Sequence, residues 1–229
     1  MQVAVVTVGD ELLVGDTRNG NATWLGERLT ERGATVTRVV VVPDDVDAIQ
    51  SEVSRLAAAN DAVVVTGGIG PTHDDVTMDG VAAAFDREMV EHPDAVAYFD
   101  DHETYERGDL TDGTTDLPAG ARLLENVEGV APGAVVENVY VLPGVPDEMR
   151  AMFDSVADEF SGEGTHVEFV YVDAPESALL DALADLRETY DVTVGSYPGE
   201  EVRVKIQHSE ASTAREAADW FRDRVQRAT

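Results

Sequence analysis

The residues with the most concentrated chemical potential lie between Thr66 and Thr77, in the string TGGIGPTHDDVT. Gly67, Gly68 and Gly70 fall within four positions and follow directly on the apolar run AVVV. One glycine is enough to turn a corner, so the surplus points to a ligand approaching the backbone closely. Glycines at a strand end let several backbone N–H groups converge, and a helix N-terminus behind them adds partial positive charge, which makes a cradle for a phosphate. Pro71 and Thr72 complete the turn, and the hydroxyls of Thr72 and Thr77 supply hydrogen-bond donors. The string is not a Walker A loop, because no Gly-Lys-Ser/Thr follows, and it departs from GxGxxG, because position 73 is His.

Asp74 and Asp75 would repel a phosphate unless a cation lay between them. Mg²⁺ binds in that way, through one or two carboxylates and the ligand's phosphate oxygens. Capping of the next helix is the alternative role for Asp75 or Thr77 taken singly. The other strand ends add acids: Asp10 and Glu11 after the first, Asp44 and Asp45 after the second, where either aspartate serves equally as an N-cap. Asn19 and Asn21 suit hydrogen bonds to a sugar or base, or simply start a helix. His73 is either solvated or catalytic, and none of the histidines is paired at zinc-ligand spacing. The absence of cysteine excludes disulfides and thiolate catalysis, and no GxSxG supports a serine nucleophile.

These residues are positioned by a βαβαβ pattern. The run QVAVVTVG leads to a helix with Ala22, Leu25 and Leu29 on one face, then TVTRVVVV, then a helix carrying Val46, Ile49, Val53 and Leu56, then DAVVVTGG. Strands apolar on both faces predict an α/β fold with a mostly parallel sheet covered by helices on both sides, and ligands beyond the carboxyl ends of the strands. A helix follows from about Met78 to Phe85, another starts at Pro93, and the polar stretch 108–120 reads as a loop able to cover a site. ARLLEN and AVVENVYVLPG read as two strands, the second ending in the turn Pro143, Gly144, Val145, Pro146, before a helix from Asp147 to about Phe160. The hydrophilic break SGEGTH divides the chain into domains 1–162 and 166–229, the second a small α+β unit of order β-α-β-β-α.

The surface chemistry is lopsided. Against 46 Asp and Glu stand 16 Lys and Arg, a formal net charge of -30, and Lys205 is the single lysine. Such a field excludes binding to nucleic acid or an anionic membrane through a broad basic face. No apolar run reaches the roughly 20 residues of a membrane span, and the N-terminus lacks the basic start of a signal peptide. The expectation is a cytoplasmic protein of a halophile.

TGGIGPTHDDVT, with GDELL, RNGNATWLGERL, EGVAPG and LPGVPDEM, resembles the molybdopterin-binding (MoCF) domain in its CinA, or competence/damage-inducible, branch. PESALLDALADL followed by VGSYPGEE is similar to the KH-like domain that follows it there. The resemblance implies a three-layer α/β/α MoCF fold and functional importance for Asp44 and Asp75. It also implies hydrolysis of dinucleotide pyrophosphates such as ADP-ribose or FAD, with Mg²⁺ or Co²⁺ and potassium as cofactors, and dimers or trimers. In that scheme Asp10, Glu11, Asp74 and Asp75 hold the metal. Gly67, Gly68, Gly70, Pro71, Thr72, Thr77, Asn19, Asn21, Pro143, Gly144 and Pro146 hold phosphate and nucleotide. Binding of molybdopterin without hydrolysis and nucleotide sensing without turnover are the alternatives. No nicotinamide-nucleotide deamidase activity is expected, because the deamidase domain of full CinA proteins has no counterpart before Thr229. The family's Thr-x-Glu-Ala helix opening is here Thr77, Met78, Asp79, Gly80, and Gly80 should weaken the helix by up to about 1 kcal/mol relative to Ala.

Molar salt shortens the Debye length to about 3 Å and removes most of the self-repulsion of so acidic a chain. The melting temperature is therefore expected to rise between dilute buffer and molar KCl; an unchanged value in a thermal melt would refute salt adaptation.

Overall fold

The computed structural model describes residues 1–70, 72–101, 113–162 and 166–226. Pro71, the first part of the predicted covering loop and the centre of the predicted inter-domain break lie outside the described residues. The chain divides into two compact units, one of Met1–Leu29 and Thr35–Phe160, the other of Thr30–Ala34 and Ser161–Thr229. Among the described residues no helix is long and apolar enough to cross a membrane.

The first unit begins with β1 (Gln2–Val8), a one-turn helix α1 (Asp10–Leu13), α2 (Gly20–Glu31), β2 (Thr35–Val42), α3 (Val46–Ala57) and β3 (Ala62–Thr66). It continues with α4 (Thr77–Ala84), β4 (Met89–Glu91), α5 (Pro93–Asp101), β5 (Asp116–Pro118), β6 (Arg122–Leu124), β7 (Gly133–Val136), β8 (Val139–Leu142) and α6 (Pro146–Val156). Six strands form one sheet in the order β2-β1-β3-β8-β7-β6. β2, β1, β3 and β8 run parallel, and β7 and β6 are antiparallel additions at one edge.

The segment AVVENVYVLPG, expected as one strand, is a hairpin. Glu137 has φ 51° and reverses the chain, so Val136 pairs with Val139. An unbroken apolar run hides the turn, because both arms are fully buried and neither shows alternation. The covering-loop stretch likewise contains β5, which pairs with β4 away from the main sheet.

Three layers result. Ala4, Val6, Val8, Val63 and Val65 pack with Ile49, Val53 and Leu56 of α3 and Val81 of α4. Val3, Val5 and Val64 point the other way along the pleat and are also fully buried. The second helical layer carries Leu25 and Leu29 of α2 with Met149, Met152 and Phe153 of α6. Trp24 meets Phe153 edge-on at 5.5 Å between ring centres, joining these two helices.

The second unit has β9 (His166–Val172), α7 (Leu180–Tyr190), β10 (Thr193–Tyr197), β11 (Val202–His208) and α8 (Ala211–Gln226). Its sheet is antiparallel in the order β10-β11-β9, over a core that includes Leu183, Leu186, Val204, Ile206 and Phe221.

Gly80 turns out to be a packing requirement. A Cβ at this position would lie 2.6 Å from both Cβ and Cγ2 of Ile49, so glycine permits the close crossing of α3 and α4. Gly→Ala inside a helix ordinarily stabilises; here overpacking reverses the sign and costs about 1–3 kcal/mol. Gly80→Ala is expected to lower the melting temperature by several degrees in a thermal melt, and a raised value would refute the packing argument.

Candidate functional site

Four parallel strands end on the same side, and the loops leaving them enclose a cavity of about 320 Å³. Its wall takes Thr7, Val8 and Gly9 from the end of β1, Asp44 after β2, Thr66, Gly67 and Gly68 after β3, and Gly144 and Pro146 after β8. The ladders run on into these loops: Gly9 N donates to Val42 O at 3.1 Å, and Gly67 N donates to Leu142 O at 3.2 Å.

The loops are tied to one another by side chains expected to touch a ligand. Asn21 Nδ2 donates to Gly144 O at 2.8 Å and to Thr66 Oγ1 at 3.3 Å, while Thr66 Oγ1 donates to Pro143 O at 2.6 Å. Asn19 Nδ2 donates to Thr7 Oγ1 at 2.8 Å, and its Oδ1 accepts from Ala22 N at the start of α2. Both asparagines line the cavity, but their donors hold its frame. Thr77 is off the wall and fully buried, its hydroxyl committed to Gly67 O at 2.8 Å.

The glycines answer first to protein neighbours. A side chain on Gly67 would collide with the carbonyl oxygen of Val8, and one on Gly68, at φ 63°, with Thr77 Oγ1. The Gly144 Cβ position is 3.2 Å from the Cα of Gly67, so the turns after β3 and β8 touch through backbone alone. Gly67 and Gly68 still present backbone to the cavity. Gly70 lies off the wall, against the Asp75 carboxylate. Thr72 and Pro143 also lie off it, and each is held within the frame.

The aspartates separate by role. Asp45 caps α3, accepting from Ala48 N at 2.9 Å. Asp44 is thereby left to face the cavity and accepts from the Asp10 backbone N–H at 2.9 Å. Asp10 contributes this N–H while its side chain stays off the wall, a correction to its expected place beside Glu11. Neither Asp75 nor Thr77 caps α4, whose N-cap is Val76 without a side-chain bond. Asp75 instead accepts from the backbone N–H and the hydroxyl of Thr72, which folds the turn back on itself.

Glu11, Asp44, Asp74 and Asp75 line one small cavity. Partial burial pushes the Asp44 carboxyl above its ordinary value of 3.8; the Asp10 N–H opposes this, and the charges of Asp10, Glu11 and Asp74 add to it. The Asp74 carboxyl is held below its ordinary range by the Thr72 side chain and a backbone N–H. One acid is thus biased towards the proton and its neighbour against it, the separation that acid–base chemistry uses. Among the described residues no three acidic or histidine side chains converge to hold a metal. The donor set fits a cation completed by a ligand's phosphate oxygens, the usual arrangement for Mg²⁺, and does not fit a closed all-protein cage.

Four further polar side chains of the wall were not named as site residues from the sequence: Thr7, Thr17, Arg18 and Thr66. Thr7 and Thr66 are each the last polar interruption of a buried apolar strand, a signal of a functional end. His73 is almost fully exposed and meets only Asp74, at 3.8 Å.

The family model of the probable molybdopterin binding domain matches residues 4–161. The chain belongs to this family. Within it, the crystal structure of the CinA protein of Thermoplasma acidophilum, of unknown function, is 37% identical, with a TM-score of 0.65. The match covers 69% of this chain and 97% of that one. A protein of Archaeoglobus fulgidus is 35% identical over 97% of both chains. A CinA-like protein of Frankia casuarinae is 38% identical over 81% of this chain but 47% of its own length. The MoCF fold read from the motifs is therefore the fold of residues 4–161, with the cavity inside the matched region.

A carboxyl whose pKa is raised by folding binds its proton more tightly in the folded state. The ionised form then costs stability above the folded pKa, and the cost vanishes as pH falls below the unfolded value near 3.8. Asp44→Asn is expected to melt higher than the parent at pH 7, with the advantage shrinking towards pH 4; a pH-independent difference would remove the crowding argument.

Proposed function

We propose that this protein is a metal-dependent nucleotide pyrophosphatase acting on dinucleotides of the ADP-ribose or FAD type. The observation that carries the reading is the placement of Glu11, Asp44, Asp74 and Asp75 around one cavity whose floor is the Gly67–Gly68 backbone. That pairing of acids with an anion cradle is self-repelling unless a cation joins acids to phosphate.

The Gly67–Gly68 turn receives one phosphoryl group, with the frame bonds of Asn19, Asn21 and Thr66 holding the surrounding loops in place. One or two carboxylates among Glu11, Asp74 and Asp75, together with the ligand's phosphate oxygens, would hold a divalent cation, which would supply charge neutralisation and acidify a water. Asp44, biased towards protonation, accepts a proton from the attacking water and is oriented for that by the Asp10 N–H. The two products are a nucleoside monophosphate and a second phosphomonoester.

A second reading is supported by the family match itself: the cavity binds the phosphate of a molybdopterin and cleaves nothing. AMP release from ADP-ribose, FAD and NAD, measured in molar KCl with and without Mg²⁺ or Co²⁺, separates the two. The expected result is metal-dependent release that Asp44→Asn lowers at least about 100-fold, the usual scale of a lost general base. A folded protein silent on every dinucleotide, and retaining a pterin, would overturn the hydrolase in favour of the carrier.

A further inference from the structure

Arg18 is the one cationic side chain among the described residues that line the cavity. It shares that space with Glu11, Asp44, Asp74 and Asp75, yet it forms no ion pair with any of them. Elsewhere in the unit Arg55, Arg87, Arg122 and Arg150 each close on a carboxylate at 2.5–3.1 Å, while Arg38 donates to the Thr37 carbonyl. In a chain with 46 acids to 16 bases, an arginine that lines a cavity with four acids and pairs with none of them is available to a ligand.

Its backbone is held in place from both sides. Asp16 N and Thr17 N donate to Glu11 O at 3.0 and 3.2 Å, and Gly20 N donates to Arg18 O at 2.8 Å. The next residue, Asn19, is anchored to Thr7, and Asn21 is anchored to Gly144. Arg18 is thus an exposed residue on a fixed backbone at the cavity wall. Guanidinium presents a planar fork of donors that matches phosphoryl oxygens, which a lysine ammonium does not.

We propose that Arg18 is the specificity residue that recognises a second phosphoryl group, so that the site takes pyrophosphate-bridged ligands in preference to phosphomonoesters. This rests on the pyrophosphatase reading for its substrate class but not for its binding test. One phosphoryl group sits on the Gly67–Gly68 turn, and the other is met by the Arg18 fork. A phosphomonoester uses only the turn. The arrangement also offsets the repulsion that four carboxylates exert on a doubly phosphorylated ligand.

The test measures binding of inorganic pyrophosphate and inorganic phosphate, each with Mg²⁺, by calorimetry in molar KCl, beside KM and kcat for ADP-ribose. The parent is expected to prefer pyrophosphate over phosphate by about tenfold or more, the scale of a charge-assisted bidentate contact. Arg18→Ala is expected to abolish that preference and raise KM with kcat nearly unchanged, while Arg18→Lys restores part of it. Thermal melts of both variants should match the parent, since the bond that Arg18 makes in the frame is through its backbone carbonyl, which both variants keep. Equal preference in parent and Arg18→Ala, or a parent that binds no pyrophosphate, overturns the proposal. Hydrolysis with a KM indifferent to Arg18 would leave the pyrophosphatase reading standing without it. Pyrophosphate preference lost in Arg18→Ala, with no hydrolysis by the parent, would do the reverse.

Discussion

Everything at the site depends on the parallel pairing of β2, β1, β3 and β8. Parallel strands in register end together: Val8 stands beside Val42, Thr7 beside Thr66, and Thr66 beside Leu142. Loops as distant in sequence as those of Gly9 and Gly144, 135 residues apart, are therefore neighbours by construction. A sheet of hairpins would have scattered the same loops over two edges. The antiparallel pair β7 and β6 is tolerated because it is added beyond β8, where it takes no part in the convergence.

The cavity then poses an electrostatic problem. Acids at successive strand ends crowd one another, and the bias of Asp44 towards its proton comes first from partial burial and then from the charges of those neighbours. The conflict persists because Asp45 does the capping, which leaves Asp44 facing the cavity with the Asp10 N–H as its partner. Arg18 stands at the same wall without quenching any acid.

Several residues expected to touch a ligand serve the protein frame instead. Asn19, Asn21 and Thr77 have donors, which the sequence shows; the frame consumes those donors, which the sequence cannot show. Gly67 and Gly68 point to close approach, and the approaching groups include Val8 and Thr77 of the chain itself. Gly80 reads as a weak point in a helix until Ile49 is found against it. Local propensity is blind to what a third element brings near.

By itself the sequence determined the α/β class, the parallel core and the strand ends that form the site, because buried apolar runs with turn residues at their ends report burial and direction through local chemistry alone. It carried the acids and glycines by position for the same reason. Only the tertiary structure decided which of two adjacent aspartates faces the cavity, which polar groups serve the frame, that the last long apolar run is a hairpin, and that Arg18 lines the wall unpaired. Each of those outcomes is a competition between groups distant in the chain for one small volume, and that competition is settled by packing geometry, on which a one-dimensional pattern carries no information.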